Sequence, residues 1–386
     1  MDFSLTDEQK ALCEAAHDFA NKEMGPKAKG LEDDNVPVAF DDRMRMGEYG
    51  FLGVNVATDY GGLGLDDLTA VLILEEFAQV SPAVAFPVFE SCFGPARAIE
   101  RFGSETLKQR ILPRICRGQS IVAISMSEPD AGSALTDLKT RAEVRGDTIR
   151  INGQKRWCSG AGHADGYLVY CRLSDEPGAK GIGAVFVDSD KAGLSFGAQE
   201  QLMGFRGIPS ADIYFDDVDV GIDDRVVDAG GFKLLMEAFD LERCGNATMS
   251  LSIAQSALDQ VIDYVQERQQ FGRPIVEFQA VQLKLANMAM KIEAARLLIY
   301  RAVENASRGF PSIKDSSIAK CFANEMVREV TGDALQMMGG YGYHKDSGME
   351  QRFRDAWGWG IAGGAIDIQK TNIASALIGK RFSQRR

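Results

Sequence analysis

Hydrophobic residues recur at two different spacings along the chain, and the change of spacing divides it into three parts. Up to about residue 120 they return every three or four positions, which predicts helices, and Thr6 with Gln9 forms a capping signature at the first one. From 121 to 229 short runs of Val, Ile, Tyr and Phe are separated by Gly, Asp and Asn, which is typical of an antiparallel sheet or barrel. The helical spacing returns at Gly230 and predicts four long helices joined by short loops.

The predicted fold class is therefore α+β and mostly α. It comprises a helical N-terminal domain (1–120), a β-barrel-like middle domain (121–229) and a C-terminal four-helix bundle (230–386). The length of 386 residues agrees with two or three packed units.

Composition restricts the classes of partner. The formal net charge of −12 disfavours nucleic-acid binding, because an acidic surface repels phosphate backbones. The chain contains no apolar run of the roughly 18 residues that a membrane helix requires, and the N-terminus lacks the basic and apolar regions of a secretory signal. Seven dispersed cysteines without a C-x-x-C pair fit reduced thiols. We expect a cytoplasmic protein without membrane association.

Several familiar sites find no support in the sequence. Three histidines and no paired metal-ligand spacing argue against a metal site. The dinucleotide fingerprint G-x-G-x-x-G is absent, which disfavours a nicotinamide cofactor. GLSFG at 193–197 matches the nucleophile-elbow pattern, but the residues after Ser195 show no helical spacing, so a loop is predicted there.

Glu242 is the most informative single residue. At about 100° per residue it lies on the apolar stripe of the long helix that begins at Gly230. Burial there would raise the pKa of the carboxyl and suit it to act as a general base. The alternative is a buried Glu neutralised by an Arg elsewhere, and Arg243 points about 100° away on the same helix. The apolar neighbours on this stripe are Leu235, Ala238, Phe239, Gly245, Met249 and Ile253.

Other segments allow two interpretations each. The glycine-rich runs 337–344 and 359–369 could cradle an anion or a carbonyl, or could simply cap helices. SEPDAGS (127–133) is a polar turn between strands. Trp157 could be a core aromatic or could stack on a planar cofactor.

Taken together, the segments resemble the acyl-CoA dehydrogenase family across essentially the whole chain. The resemblance implies one FAD per subunit, a homotetramer or homodimer, and an electron-transfer flavoprotein as acceptor. The segments that carry it, in family order, are DYGGLGL (59–65), SEPDAGS, NGQKRWCSG (152–160), LMGFRGIPSADIYFDDV (202–218), ERQQFGRPIVEFQAVQ (267–282), LQMMGGYGY (335–343) and RDAWGWGIAGGAIDIQK (354–370).

The resemblance also implies two sets of FAD-binding residues. One set lines the flavin or the substrate entrance, with Ser159 standing where the family usually has Thr and Ser133 also touching the CoA side. The second set contacts the FAD of the adjacent subunit. The first set is Met126, Ser127, Ser133, Trp157 and Ser159; the second is Arg268, Phe271, Gln336, Gly339 and Gly340.

The catalytic base departs from the commonest family pattern. Most members carry it in a Tyr-Glu-Gly-Thr segment, where this chain has Gly363. A minority, the isovaleryl- and long-chain-type enzymes, carry it in an Asp-Leu-Glu-Arg run, which here is residues 240–243. The resemblance therefore implies Glu242 as base, Arg243 near the catalytic centre, and the Gly363 N–H as a donor to the thioester carbonyl. The implied reaction converts an acyl-CoA into its 2-enoyl-CoA.

Three other functions are also compatible with these segments. The segment around Gly363 also resembles the sulfinopropionyl-CoA desulfinases, lyases that use an arginine in the loop after the second long helix, where this chain has Phe86. Crotonobetainyl-CoA reductases share the Gly, which would imply an enoyl-CoA reductase running the chemistry in reverse. A non-enzymatic flavin-binding subunit is the third possibility.

The acyl group is indicated only by aromatic residues near positions 85–95. Phe86, Phe89 and Phe93 favour a short, branched or cyclic acyl chain, although they could equally be helix-packing core. CoA and acyl-carrier protein are not distinguished, since both present the same pantetheine.

Overall fold

The computed structural model describes residues 4–306 and 309–382. Its N-terminal part is helical, and the capping box is confirmed: the Gln9 N–H and the Thr6 N–H each bond to the other residue's side-chain oxygen at 3.1 Å. The helix predicted from there is interrupted by a π-helical turn at Ala20–Met24. The helices are α1 (Asp7–Phe19), α2 (Gly25–Asp34), α3 (Phe40–Glu48), α4 (Asp67–Val80), α5 (Pro82–Cys92), α6 (Pro95–Phe102) and α7 (Glu105–Cys116).

The segment assigned to a loop around Phe86 is instead helix α5, so that expectation was wrong. Ser81 caps the helix, its Oγ accepting the Ala83 N–H at 3.1 Å. Pro82 occupies the first turn, where a fixed φ and a missing N–H are tolerated. Phe86 therefore lies inside a fully buried helix.

The middle part is a sheet that is antiparallel apart from two parallel pairings, β1 with β4 and β2 with β4. The all-antiparallel expectation is corrected to that extent. Ser195 lies in an edge strand, not in the expected loop, and no helix follows it, so the nucleophile elbow is excluded. The strands are β1 (Val122–Ser125), β2 (Arg141–Arg145), β3 (Thr148–Ser159), β4 (Gly166–Arg172), β5 (Ile182–Asp188), β6 (Leu194–Phe196), β7 (Ser210–Gly221) and β8 (Arg225–Val227), in the order β6-β7-β3-β2-β4-β5-β8.

The C-terminal part is a helical bundle whose first helix, 36 residues long, spans about 54 Å. One apolar core joins the bundle to α4 and α5, while a second joins the sheet to α6, α7 and the beginning of this first helix. Among the described residues, no helix has the length and apolarity to cross a membrane. The elements are α8 (Phe232–Glu267), the small hairpin β9 (Gln269–Gln270) and β10 (Arg273–Pro274), α9 (Gln279–Glu304), α10 (Ile313–Met338), α11 (Met349–Trp359) and α12 (Ile366–Ile378).

Candidate active site

Glu242 lies in the first third of α8, where this helix packs against both α5 and the sheet. Its side chain is only 9% exposed, and its carboxyl forms no hydrogen bond or ion pair with any described residue. Burial raises the pKa of Glu242 to about 8, against the smaller opposing effects of Arg243 and Lys320. The predicted desolvated carboxyl on the apolar stripe is therefore present.

Arg243 does not neutralise Glu242. Its guanidinium instead forms a buried salt bridge with Asp240, one turn back on the same helix. Asp240 also accepts the Ser316 hydroxyl of α10 at 2.7 Å, and the guanidinium lies 5.3 Å from the centre of the Phe239 ring. Arg243 and Asp240 thus fix the first part of α8 against α10. Glu242 itself is not neutralised by an arginine among the described residues.

Gly363 lies in the tight loop between α11 and α12. Its φ of +66° and that of Gly364 at +86° are in the left-handed region that favours glycine. No described group accepts the Gly363 N–H, so this donor is unpaired within the described part of the chain. A β-carbon on Gly363 would lie 3.4 Å from Asn246 Nδ2, one helical turn after Glu242. The Gly363 loop therefore lies against α8 at Asn246, four residues after Glu242 and on the same face of the helix.

A buried polar network, which the sequence analysis missed, fixes this loop. Lys320 Nζ donates to the carbonyls of Trp359 and Ala362, at 2.9 Å each. Asn246 Nδ2 also donates to Trp359 at 3.2 Å, and its own oxygen accepts Asn324 Nδ2 at 2.9 Å. Burial and the nearby Arg243 charge lower the pKa of Lys320 to about 7. Two helices of the bundle thus anchor the loop that presents the Gly363 N–H.

The Met126–Ser127 segment follows β1 and is fixed by a buried ion pair. Lys155 is fully buried and donates from Nζ to Glu128 Oε1 and to the Met126 carbonyl, both at 2.9 Å. The Ser127 carbonyl accepts the Arg156 N–H at 2.9 Å. Met126 packs against the apolar cluster that includes the beginning of α8 up to Ala238, one helical turn before Glu242.

Trp157 is displayed by a β-bulge and is not a core residue. Arg156 and Trp157 together oppose the single residue Asp212 of β7, and Trp157 has a φ of +61°. Its ring is 52% exposed, with the Arg156 guanidinium 4.2 Å from the ring centre. Strained backbone of this kind clusters at ligand sites. Ser159 ends the same strand half-buried, and Ser133 is exposed on the loop after β1.

The second set of predicted residues surrounds a cavity of about 1060 Å³ at the far end of α8. Arg268 and Phe271 line it together with Gly339 and Gly340, whereas Gln336 is exposed nearby but is not among the lining residues. A β-carbon on either glycine would meet no atom within 4 Å, so both backbones face open space. Phe271 is 92% exposed at the tip of the β9–β10 turn, with a φ of +54°.

A row of three phenylalanines, two on α5 and one directly after it, is buried where α5 meets α8 at Gly245. The ring centres of Phe86 and Phe89 are 6.1 Å apart, and those of Phe89 and Phe93 are 6.4 Å apart. Glu90, on the same helix, is a buried carboxyl that the sequence analysis also missed. It is the only charged residue between Pro82 and Pro95, and that isolation in an apolar run was a usable signal.

Comparison with known proteins gives three matching family models, which together cover most of the chain. They are the acyl-CoA dehydrogenase N-terminal domain at residues 6–119, the middle domain at 123–218 and the C-terminal domain at 229–378.

Individual relatives match over nearly their whole length but differ in activity. A 3-sulfinopropanoyl-CoA desulfinase of Paraburkholderia xenovorans is 38% identical over 100% of this chain and 99% of its own length. A 3-(aryl)acrylate reductase of Clostridium sporogenes is 35% identical, covering 97% of this chain and 99% of its own. The structure of butyryl-CoA dehydrogenase from Megasphaera elsdenii superimposes with a TM-score of 0.94 at 32% identity, covering 98% of this chain and 100% of the other. The chain therefore belongs to the acyl-CoA dehydrogenase family.

Proposed function

We propose that the chain oxidises a short, branched or cyclic acyl-CoA to its 2-enoyl-CoA, with Glu242 as the base. The observation that carries this proposal is the combination of an unneutralised, buried carboxyl on α8 with a loop that Lys320 and Asn246 anchor against the bundle and whose Gly363 N–H is unpaired among the described residues. As a member of its family, the chain is an FAD-dependent oxidoreductase.

The residues present fit FAD. Trp157 offers an exposed ring on strained backbone for the flavin end, and Gly339 and Gly340 expose their backbones to a cavity large enough for part of a nucleotide. When bound, FAD supplies the acceptor for the hydride that leaves the β-carbon of the acyl group.

The chain's own residues supply a base and a hydrogen-bond donor. The Gly363 N–H donates to the thioester carbonyl, which stabilises the charge that develops on that oxygen as the α-proton leaves. A Glu242 carboxylate oxygen takes the α-proton, because its raised pKa makes it a stronger base than an ordinary carboxylate. Lys320 and Asn246 hold the loop so that the N–H and the carboxylate address the same thioester.

The test is anaerobic mixing of the holoenzyme with a panel of saturated acyl-CoAs while the visible flavin absorbance is followed. One branched or cyclic member should bleach the flavin rapidly, and Glu242→Gln should slow bleaching by at least about a hundredfold. Glu237→Gln, which changes a more exposed carboxyl on the same helix, is the matched control and should bleach like the natural protein. Rapid bleaching by Glu242→Gln would remove Glu242 from the role of base.

Desulfination is the second candidate, because the relative with 38% identity carries that name. A sulfinate needs a cation, but Arg243 is engaged by Asp240 and the nearby α5 position is Phe86. The natural protein is therefore expected to release no sulfite from 3-sulfinopropanoyl-CoA. Steady sulfite release would show that desulfination, and not oxidation, is the reaction.

The direction of the reaction requires its own measurement, because another relative is named as a reductase. We propose oxidation as the physiological direction, with an electron-transfer flavoprotein as acceptor. Two rates are compared under anaerobic conditions: reoxidation of the reduced flavin by a 2-enoyl-CoA, and reduction of the oxidised flavin by the corresponding saturated acyl-CoA. We expect reoxidation to be the slower of the two. Faster reoxidation by the enoyl thioester would reverse the assignment.

We propose a homotetramer or homodimer in which the second set of residues serves a neighbouring subunit. Arg268 follows Glu242 by 26 positions, which is about 39 Å along α8. This separation supports the implication that Arg268 and Phe271 contact the FAD of another copy. A cytoplasmic location agrees with seven free cysteines.

A further inference from the structure

Arg156 covers one face of the exposed Trp157 ring. The centre of its guanidinium lies 4.2 Å from the centre of the ring, which is the geometry of a cation–π contact. Trp157 is nevertheless 52% exposed, so the opposite face of the ring stays open. A large aromatic ring that is held on one side and bare on the other is suited to stack on a planar group.

Two carboxylates hold the guanidinium over the ring. Arg156 Nη1 donates to Asp212 Oδ2 at 2.9 Å, and Nη2 donates to Glu200 Oε1 at 3.1 Å. Asp212 is only 6% exposed and also accepts Gln154 Nε2 at 3.0 Å, so its own position is fixed. Because two nitrogens of the guanidinium donate to two carboxylates, the plane of the group is fixed together with its charge.

Arg156 also ties together three segments around Trp157. Its N–H donates to the Ser127 carbonyl at 2.9 Å, which connects β3 to the segment that follows β1. Its side chain reaches β7 through Asp212, and it reaches the segment between β6 and β7 through Glu200. A change at Arg156 is therefore transmitted to the residues on both sides of the ring.

The ring needs this support because its backbone is unfavourable. Trp157 has a φ of +61°, a region that residues with a β-carbon rarely adopt, and it belongs to the bulge opposite Asp212. An exposed side chain exchanges between rotamers unless a contact favours one of them. The contact with the Arg156 guanidinium favours the orientation in which the open face is displayed.

We propose that Arg156 is a positioning residue for the flavin, which presents the open face of Trp157 to the flavin ring and places a positive charge behind it. This inference rests on the proposed placement of FAD at Trp157. A ring that is already oriented binds its ligand more tightly than one that must first be ordered. A cation nearby also favours the reduced flavin, because a flavin gains negative charge when it takes up electrons.

The first test measures how tightly the holoenzyme retains FAD, from the flavin fluorescence that appears on dilution. Arg156→Met should raise the Kd of FAD by about three- to thirtyfold, the range that corresponds to a lost cation–π contact. Arg150→Met is the matched control, because Arg150 lies on the same strand, pairs with Asp217 and Asp219, and has a side-chain exposure of 29% against 31% for Arg156. The control should retain FAD like the natural protein.

The second test measures the midpoint potential of the bound flavin, which a purely structural role of Arg156 would not change. Arg156→Met should lower the potential, because a positive charge is lost while Asp212 and Glu200 keep their negative charges. Arg156→Lys should keep the natural potential but recover only part of the FAD affinity, since an ammonium lacks the planar fork. An unchanged Kd and an unchanged potential in Arg156→Met would overturn the inference.

A double-variant cycle shows whether Arg156 acts through the ring. In a Trp157→Leu background, Arg156→Met should weaken FAD binding by less than about twofold, because the ring that it orients is absent. A full loss without the ring would mean that Arg156 acts on the flavin or the fold directly, and the inference would be wrong. If Arg156→Met does not fold, the double variant Arg156→Met with Asp212→Asn removes the ion pair as a unit and serves for the FAD measurement.

The proposed oxidation and this inference fail separately, because neither of these measurements uses an acyl-CoA. If no thioester bleaches the flavin while Arg156→Met shows the weaker binding and the lower potential, the oxidation is wrong and the role of Arg156 stands. If a thioester bleaches the flavin but Arg156→Met behaves like Arg150→Met in both measurements, the oxidation stands and the role of Arg156 is wrong.

Discussion

At the scale of single residues, the pKa of Glu242 is set by the burial of its carboxyl more than by the intrinsic acidity of a glutamate. An exposed glutamate is ionised well below neutral pH, whereas burial brings the pKa of Glu242 to about 8. The carboxyl therefore changes charge close to the pH at which a cell works. In the proposed reaction only the carboxylate form accepts the α-proton, so the pH would set the fraction of active enzyme.

The proposed role of Glu242 as base makes the rate of the reaction depend on pH. The rate of flavin bleaching under limiting substrate should rise about tenfold per pH unit below pH 8 and level off above it, since deprotonation activates the base. Stopped-flow measurements between pH 6 and 10 on the natural protein test this. A profile that is flat between pH 6 and 8 would show that Glu242 is already ionised there.

At the scale of elements, short loops and close helix contacts position the site. The loop between α11 and α12 has no regular structure of its own and depends on Lys320 and Asn246 for its shape. In the proposed reaction Lys320 would be a positioning residue, because it would act through the loop that carries the Gly363 N–H. The contact between α5 and α8 at Gly245 plays the corresponding role for the acyl side.

Replacing Lys320 by Met should disturb the reaction more than it disturbs binding. The two loop carbonyls lose their shared donor, the Gly363 N–H loses its fixed direction, and kcat should fall by about ten- to a hundredfold with KM changing less. Lys370→Met, which removes a half-exposed lysine paired with Glu325, is the control for the loss of a positive charge. An equal loss in both variants, or a change confined to KM, would contradict the positioning role.

Adding one methyl group at Gly245 should destabilise the whole chain. The new β-carbon would meet the Phe93 and Phe89 rings at 2.7 and 3.0 Å, so α5 must move away from α8. Overpacking of this kind costs about 1–3 kcal/mol, which chemical denaturation can measure. Gly132→Ala, where no atom lies within 4 Å, should be close to neutral, and equal stability of the two variants would refute the tight contact.

Residues whose position follows from a hydrophobic period could be predicted from the sequence, whereas single buried charged residues could not. Glu242 was found because a 3.6-residue period places it on an apolar stripe, and the structure leaves it buried and unpaired. Lys320 and Glu90 were missed, because a single charged residue inside an apolar run reveals neither its depth nor its partners. The segment around Phe86 was placed in a loop through the resemblance to the desulfinases, although Pro82 is compatible with the first turn of a helix.

At the scale of the whole molecule, α8 connects two sets of site residues about 39 Å apart. In the proposed function Glu242 acts near the beginning of the helix, while Arg268 at its end lines the cavity proposed to face another copy. If the cavity faces another copy as proposed, each complete site consists of residues from two subunits.

Mixing two inactive variants should consequently restore activity. In a mixed assembly, the Arg268→Ala subunit still supplies Glu242 and the Glu242→Gln subunit still supplies Arg268. A site formed from these two contributions has both natural residues. Subunits refolded together or co-expressed with different tags, then purified through both tags, should regain a measurable share of the activity that neither parent shows. Absence of recovery in a confirmed mixed assembly would mean that Arg268 serves the site of its own chain.

The length of α8 also has a genetic consequence. A substitution that kinks this helix in its middle displaces Glu242 of its own site relative to Arg268 of the next, so one altered subunit impairs two sites in a mixed assembly. Such an allele is expected to be dominant over the natural one. Glu242→Gln leaves the neighbouring subunit's site complete and is expected to be recessive. Dominance of an allele would therefore indicate that the helix is distorted, and recessiveness that only the base is lost.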